Sequence, residues 1–329
     1  MSDQSQGAFA AHHDISAAED MARIALIRAH PRFAEAMAKT AKGLVDAYDG
    51  NRLLNRILND RERSVFALMA LYLHANPDSA GRGLTAGRII ELCRETGLCS
   101  RGRAKAMLVL MRWGGYLEPC TEPGGPADRR QRPLVPTLQF LEMQASRWRR
   151  HFEAISLMDA CGTAALTRLD NPAFRAELIR TMMARFRAGM RLLDYAPALN
   201  LFASRDGGML IVFQLLLSAQ PDDVFPPQGV ISIPVAELGR RFHVSRAHVL
   251  KVLRDAESAG LIERLPGPPS GIRLSFTLRE SLCAFFAAVF LVMAEGANNA
   301  LAREAQQGGG ADMTNVSPLP VVTRHPRGF

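Results

Sequence analysis

The stretch "VSRAHVLKVLRDAESAGLIER", residues 244–264, decides how the rest of the chain is read. A serine follows a tight apolar turn. A helix of mixed basic and apolar residues comes next, closed by Ala-Gly and followed by a strand-like tail. Ser245 suits a helix N-cap, because its hydroxyl can accept a hydrogen bond from a free N–H of the first turn. Helical spacing turns Val249, Leu250, Val252, Leu253 and Ala256 toward a core. It leaves Arg246, Ala247, His248, Lys251 and Arg254 outside, with Lys251 and Arg254 on the face of Ala247 and His248.

The same writing occurs earlier in the chain. "ELCRETGLCSRG" (91–102) returns as "ELGRRFHVSRA" (237–247), one residue shorter at the turn. "YLHANPD" (72–78) returns as "LLSAQPD" (216–222), and "GYLE" (115–118) as "GLIE" (260–263). "PTLQFLEM" (136–143) has a counterpart in "FTLRESLC" (276–283), and "IALIRAHPRF" (24–33) in "AALTRLDNPAF" (164–174). Five matches in one order imply duplication of a long unit. The expected division is a first unit over 14–155 with its core at 61–140, and a second over 156–305 with its core at 208–277. Residues 1–13 and 306–329 fall outside both. The last of these stretches is Gly/Pro-rich without apolar periodicity and reads as a mobile tail.

Each unit reads as mostly helical. In the first, helices are expected at 32–48, 61–76 and 86–96, with a short strand near Gly83–Thr85. In the second they are expected at 175–194, 208–219 and 234–242, with a strand at Val230–Ile233 and Pro234 at the first helical position. A turn (Gly97-Leu98-Cys99, His243-Val244) then leads into a serine-capped helix. Gly115 or Gly260 ends that helix. A strand, a Gly/Pro-rich loop and a second strand follow, and a long helix closes each unit at 138–158 and 278–305. The fold class is therefore mainly α with small β-hairpins. The order is that of two tandem winged helix-turn-helix units related by internal duplication, each flanked by long helices.

The charge sits where such a fold would use it. The net charge of +8 favours a polyanionic partner. Residues 101–150 hold ten Lys/Arg against four Asp/Glu. In the first unit Ser100 leads Arg101, Gly102, Arg103 and Lys105 outward, with Ala104, Met107, Leu108 and Met111 inward. The hairpin loops would be the wings. The first carries Arg129, Arg130 and Arg132, and arginine is favoured against a phosphate backbone or minor groove. The second is shorter, with only Arg273 following its tip. A helix fits the major groove and can meet base edges with its N-terminal residues.

At these residues the sequence resembles winged-helix transcription regulators, most nearly the MarR-like family. The resemblance implies a double-stranded DNA-binding regulator with recognition helices in the major groove. It implies base contacts from Arg101, Arg103, Arg246 and His248, and backbone contacts from the wing arginines. Two units on one chain imply a covalent pseudo-dimer; the alternative is a homodimer paired through the apolar C-terminal helix. In relatives, a helical interface of this kind can hold a small apolar effector. Ordinary core packing is the preferred reading of the Phe and Met residues in "LCAFFAAVFLVMA". Two other classes fit the same parts: a plasmid-type replication initiator and a protein-interaction scaffold.

Several other classes lack their signals. There is no Walker loop, HExxH, GxSxG or metal-spaced Cys/His cluster, so neither an enzyme, a cofactor nor a metal is expected. The pair His12-His13 reads as solvated. Five cysteines (93, 99, 120, 161 and 283), an odd number without a CxxC pair, fit a reducing cytoplasm. Cys99 precedes a helix cap, where the helix dipole could lower a thiol pKa; an inert thiol is the preferred reading. The apolar run Leu282–Ala294 is 13 residues long, short of the ~20 a bilayer needs, and reads as a buried helix.

Overall fold

The computed structural model describes residues 17–120, 133–220, 222–232, 234–265 and 271–308. The protein is mainly helical with two small antiparallel hairpins. Helix α1 covers residues 17–28. It is followed by α2 (Phe33–Tyr48), α3 (Arg52–Ile57), α4 (Arg61–Ala75), α5 (Ala86–Glu95) and α6 (Arg101–Trp113). Strands β1 (Leu117–Pro119) and β2 (Leu134–Pro136) pair next, and α7 (Leu138–Ile155) follows. The same order then runs again. Helices α8 (Ala160–Arg168), α9 (Pro172–Arg187), α10 (Asn200–Ala203), α11 (Gly208–Leu217), α12 (Val235–Arg241) and α13 (Arg246–Ser258) precede β3 (Ile262–Leu265), β4 (Gly271–Leu274) and α14 (Phe276–Gly308).

The expected long helices are present with shifted ends, but several local readings need correction. Helix α9 begins three residues early, at a Pro172 that fits its first turn, and ends at Arg187; residues 192–194 form a separate 3₁₀ turn. Neither 83–85 nor 230–232 forms a strand. Leu84 accepts one backbone bond from Leu134, at 2.8 Å, and Ile231 exchanges two with Ile272, at 2.7 and 2.8 Å. Leu84 and Ile231 are buried, and each segment pairs with its hairpin through that one residue. Pro234 is the residue before α12, with an extended ψ of 122°, so it caps the helix instead of beginning it. The second strand of the first hairpin stops at Pro136, because Thr137 caps α7 by accepting from Phe140 N–H. The short helices α1, α3, α8 and α10 have no counterpart in the expected pattern.

The two halves share one core. Helix α2 packs on α7 of its own half and on α11 of the other; α9 packs on α14 and on α4. The polar contacts cross over in the same sense. Gly50 N–H donates to the Arg241 carbonyl at the end of α12. Arg191 donates to the Thr96 carbonyl at the end of α5. The stretches 14–155 and 156–305 are thus successive in sequence but interlocked in space.

Helix α14 lies at the centre. Phe290 meets Phe33 of α2 edge-on at 6.2 Å, and Phe286 meets Phe213 of α11 at 5.1 Å. Of the 13 residues from Leu282 to Ala294, nine are buried and none is exposed. Burying each Phe, Leu or Met here stabilises the fold by about 1.5–3 kcal/mol. Among the described residues this is the one helix long and apolar enough, by length and composition, to cross a membrane, over Phe276–Gln306. The 13-residue count is too short because Ser281 and Glu295 are tolerated within the helix. Glu295 is held by Arg23 and Arg185.

One buried base predicts a pH dependence. His151 in α7 is buried, its Nδ1 has no partner, and burial with Arg147 nearby pushes its pKa down to about 3. An unfolded imidazole titrates near 6.5. Below that pH the unfolded chain holds the extra proton. Stability is complete above about pH 6.5 and falls with pH by up to ~1.4 kcal/mol per unit. Urea denaturation should find the wild type about 2 kcal/mol less stable at pH 5 than at pH 7 from this group. His151→Gln should lose that slope.

Candidate nucleic-acid interface

Helices α6 and α13 begin alike. Ser100 Oγ accepts from Arg103 N–H at 3.3 Å, and Ser245 Oγ accepts from His248 N–H at 3.1 Å. Each cap is worth about 1 kcal/mol. The preceding turns also match. Leu98 N–H donates to the Cys93 carbonyl, and Val244 N–H to that of Gly239. Both are bonds that close a helix around a left-handed residue, Gly97 (φ 64°) in one and His243 (φ 52°) in the other. Cys99 is the extra residue that makes the first turn longer.

The helix ends match as well. Tyr116 N–H donates to Met111 O and Leu261 N–H to Ala256 O, around Gly115 and Gly260. Thr137 N–H donates to Tyr116 O, and Ser275 N–H to Leu261 O. Thr137 therefore corresponds to Ser275, two residues earlier than the sequence match between 136–143 and 276–283 places it.

The inward faces are as expected, with one exception. Ala104, Met107, Leu108 and Met111 are buried in α6, and Val249, Val252, Leu253 and Ala256 in α13. Leu250 is half-exposed. It lies on the boundary between the buried and basic faces.

The outward cations divide into two groups. Arg101, Lys105 and Arg246 are exposed and form no ion pair among the described residues. Arg254 is exposed and only bonds back to the Leu250 carbonyl. The others are occupied. Arg103 pairs with Glu62 at 2.5 Å and approaches Asp60 at 3.9 Å. His248 donates from Nε2 to the Asp206 carbonyl at 2.9 Å. Lys251 pairs with Asp255 at 3.2 Å, and Arg273 with Glu263 across the second hairpin at 2.6 Å. Lys251–Asp255 is an i,i+4 pair within α13, whereas the contacts of Arg103, His248 and Arg273 reach far along the chain or across a strand pair, beyond what helical spacing reveals.

Arg103 and His248 occupy corresponding positions, and each holds the start of its own half's α4 or α11. Those two starts meet. Gly207 N–H donates to Asn59 O at 3.3 Å, and Arg63 lies 3.0 Å from Asp60 and 3.7 Å from Asp206. A seam of carboxylates and Arg63 thus connects the bases of the two candidate reading helices.

Arg129, Arg130 and Arg132 lie outside the described residues, as do His12 and His13 and the stretch 309–329. Cys99 is half-buried, and burial pushes its thiol pKa up, opposite to the effect of a helix dipole. Two surface hollows, of about 580 and 400 Å³, lie at the base of the first hairpin and between α2 and α7. Neither is lined by α14, where the apolar effector was expected. No group of His, Cys, Asp and Glu among the described residues is placed to hold a metal ion.

Comparison with family models, curated proteins and solved structures finds no match to this chain.

The matched turns carry a stability test. A left-handed non-glycine residue costs roughly 1–2 kcal/mol, partly offset by the greater chain entropy that glycine loses on folding. His243→Gly should therefore raise stability by about 0.5–1 kcal/mol, and Gly97→Ala should lower it by about 1 kcal/mol. Thermal melts of the two variants would show opposite shifts.

Proposed function

We propose that this chain is a sequence-selective double-stranded DNA-binding protein, a transcription regulator with two winged helix-turn-helix units arisen by duplication and joined as a pseudo-dimer. One observation carries the reading. Two helix–turn–helix–hairpin segments have matching backbone hydrogen bonds, and each presents free cations at the start of its second helix. Helix α14 acts as an internal core helix in this reading, not as a membrane span. With its apolar segment consumed inside the chain, it offers no second surface for pairing two chains.

The ties on Arg103 and His248 redistribute the expected roles. Base reading falls to Arg101, Lys105, Arg246 and Arg254. Arg103 and His248 position the helices on their supports. The two faces also differ. Gly102 stands where Ala247 does, Ala106 where Lys251 does, and Val109 where Arg254 does. A single chain should accordingly prefer two dissimilar half-sites about one helical turn, ~10 bp, apart.

Duplex fragments selected from genomic DNA should bind saturably, with affinity falling steeply as salt rises, because phosphate contacts release counterions. Arg101→Ala and Arg246→Ala should each lose about 1–3 kcal/mol at the selected site and much less on random duplex. Glu62→Gln frees Arg103 and should raise affinity for all duplexes, with a steeper salt dependence. Anisotropy titrations at several salt concentrations measure all three. A chain that shows no saturable duplex binding at moderate salt is not a DNA-binding regulator.

A further inference from the structure

We propose that the hollow at the base of the first hairpin is a stacking site for an unpaired base of single-stranded DNA, with Trp113 as the platform. The inference rests on the DNA-binding reading and extends it to a second form of DNA on the same helix, α6. Trp113 closes that helix and is 64% exposed, and Val109, one turn earlier, is 66% exposed. The Arg56 guanidinium sits over the indole, 5.3 Å from the ring centroid. That contact covers one face, and the exposure of the rest leaves the other face to solvent. The hollow beside it, about 580 Å³, is lined by Val109, Arg112 and Trp113 on one side and by Glu118 and Pro119 on the other.

Charge decides the occupant. Arg56 and Arg112 are exposed and form no ion pair among the described residues. Among the described residues, Glu118 is the one carboxylate lining the hollow. An aromatic face flanked by free arginines suits a strand that alternates flat bases with phosphates. Bases within a duplex stack on each other and offer no face, so the base must be unpaired. The feature is also absent from the second half. The positions of Val109, Arg112 and Trp113 correspond there to Arg254, Glu257 and Ser258. Trp113 is therefore not required by the frame that the two halves share.

Intrinsic fluorescence can read this site directly. The chain has two tryptophans, and Trp148 is buried at 3% exposure, so a ligand-dependent change in emission reports Trp113. The full chain is titrated with oligothymidylate of about 10 nucleotides, with a duplex containing its selected site, and with inorganic polyphosphate. Oligothymidylate should quench saturably, and polyphosphate, an anion without bases, should not. By anisotropy of labelled oligonucleotides, a readout that does not need the indole, Trp113→Ala should weaken single-strand binding about tenfold or more while changing duplex affinity less than about twofold. Trp113→Phe, which keeps an aromatic face, should retain single-strand affinity within a few-fold. Absence of quenching by the oligonucleotide, equal quenching by polyphosphate, or unchanged single-strand affinity in Trp113→Ala would each overturn the proposal; the first leaves the patch to a protein partner. Absence of oligothymidylate binding by the wild-type chain, with its duplex binding intact, refutes this site alone. Absence of duplex binding refutes the broader reading.

Discussion

The exchange of helices between the halves is the constraint on which the structure depends. Helix α2 completes its burial on α11, and α9 completes its burial on α4. Neither half can bury its apolar faces within its own sequence, so neither is an independent core. Helix α14 extends the same arrangement by placing Phe290 on α2 and Phe286 on α11. The consequence for α6 and α13 is mechanical. A packed interior, rather than a flexible linker, fixes their relative position, and packed interiors resist continuous deformation. Two helices held in this way can demand a set spacing from a ligand that touches both.

The seam between the halves adds an electrostatic element. Asp60, Glu62 and Asp206 lie beneath the starts of the two basic helices; their carboxylates hold Arg103 and Arg63, and the Asp206 main-chain carbonyl accepts from His248. A cation tied to a carboxylate contributes less to the field seen by a polyanion than a free one. The net charge of +8 therefore overstates the attraction at this surface. Arg101, Lys105, Arg246 and Arg254 form no ion pair among the described residues.

What was legible in the sequence depended on local chemistry. The two serine caps, the inward residues of α6 and α13 and the glycines that end them follow from helical period and turn geometry. All but the inward placing of Leu250, which is half-exposed, are seen at those positions. The short helices α3 and α10 were missed because a segment of four to six residues carries too little periodicity. The two strands expected before α5 and α12 failed for a related reason. Each segment meets its hairpin through one residue, Leu84 or Ile231, with one or two backbone bonds, too few to continue as a strand. The ties on Arg103 and His248 were invisible because their partners lie about 40 residues away in sequence. The exchange of helices was equally hidden, since sequence order alone assigns each helix to its own half.

The pair of turns shows how the two halves can keep one backbone while their surfaces differ. The hydrogen bonds from Leu98 to Cys93 and from Val244 to Gly239 depend on main-chain atoms alone. So do those that end α6 and α13. A frame held by backbone bonds and buried aliphatic contacts leaves the outward positions free to vary, at a stability change usually within about 0.5 kcal/mol per residue. The outward faces have used that freedom. Val109, Arg112 and Trp113 occupy one, and Arg254, Glu257 and Ser258 the other. In a homodimer any change to one reading face is copied to its partner, so the ligand must be symmetric as well. Joining both frames in one interlocked chain removes that restriction. On the proposed reading, α13 remains a polar groove-facing helix, while α6 combines a basic start with an aromatic end suited to a different form of the same polymer.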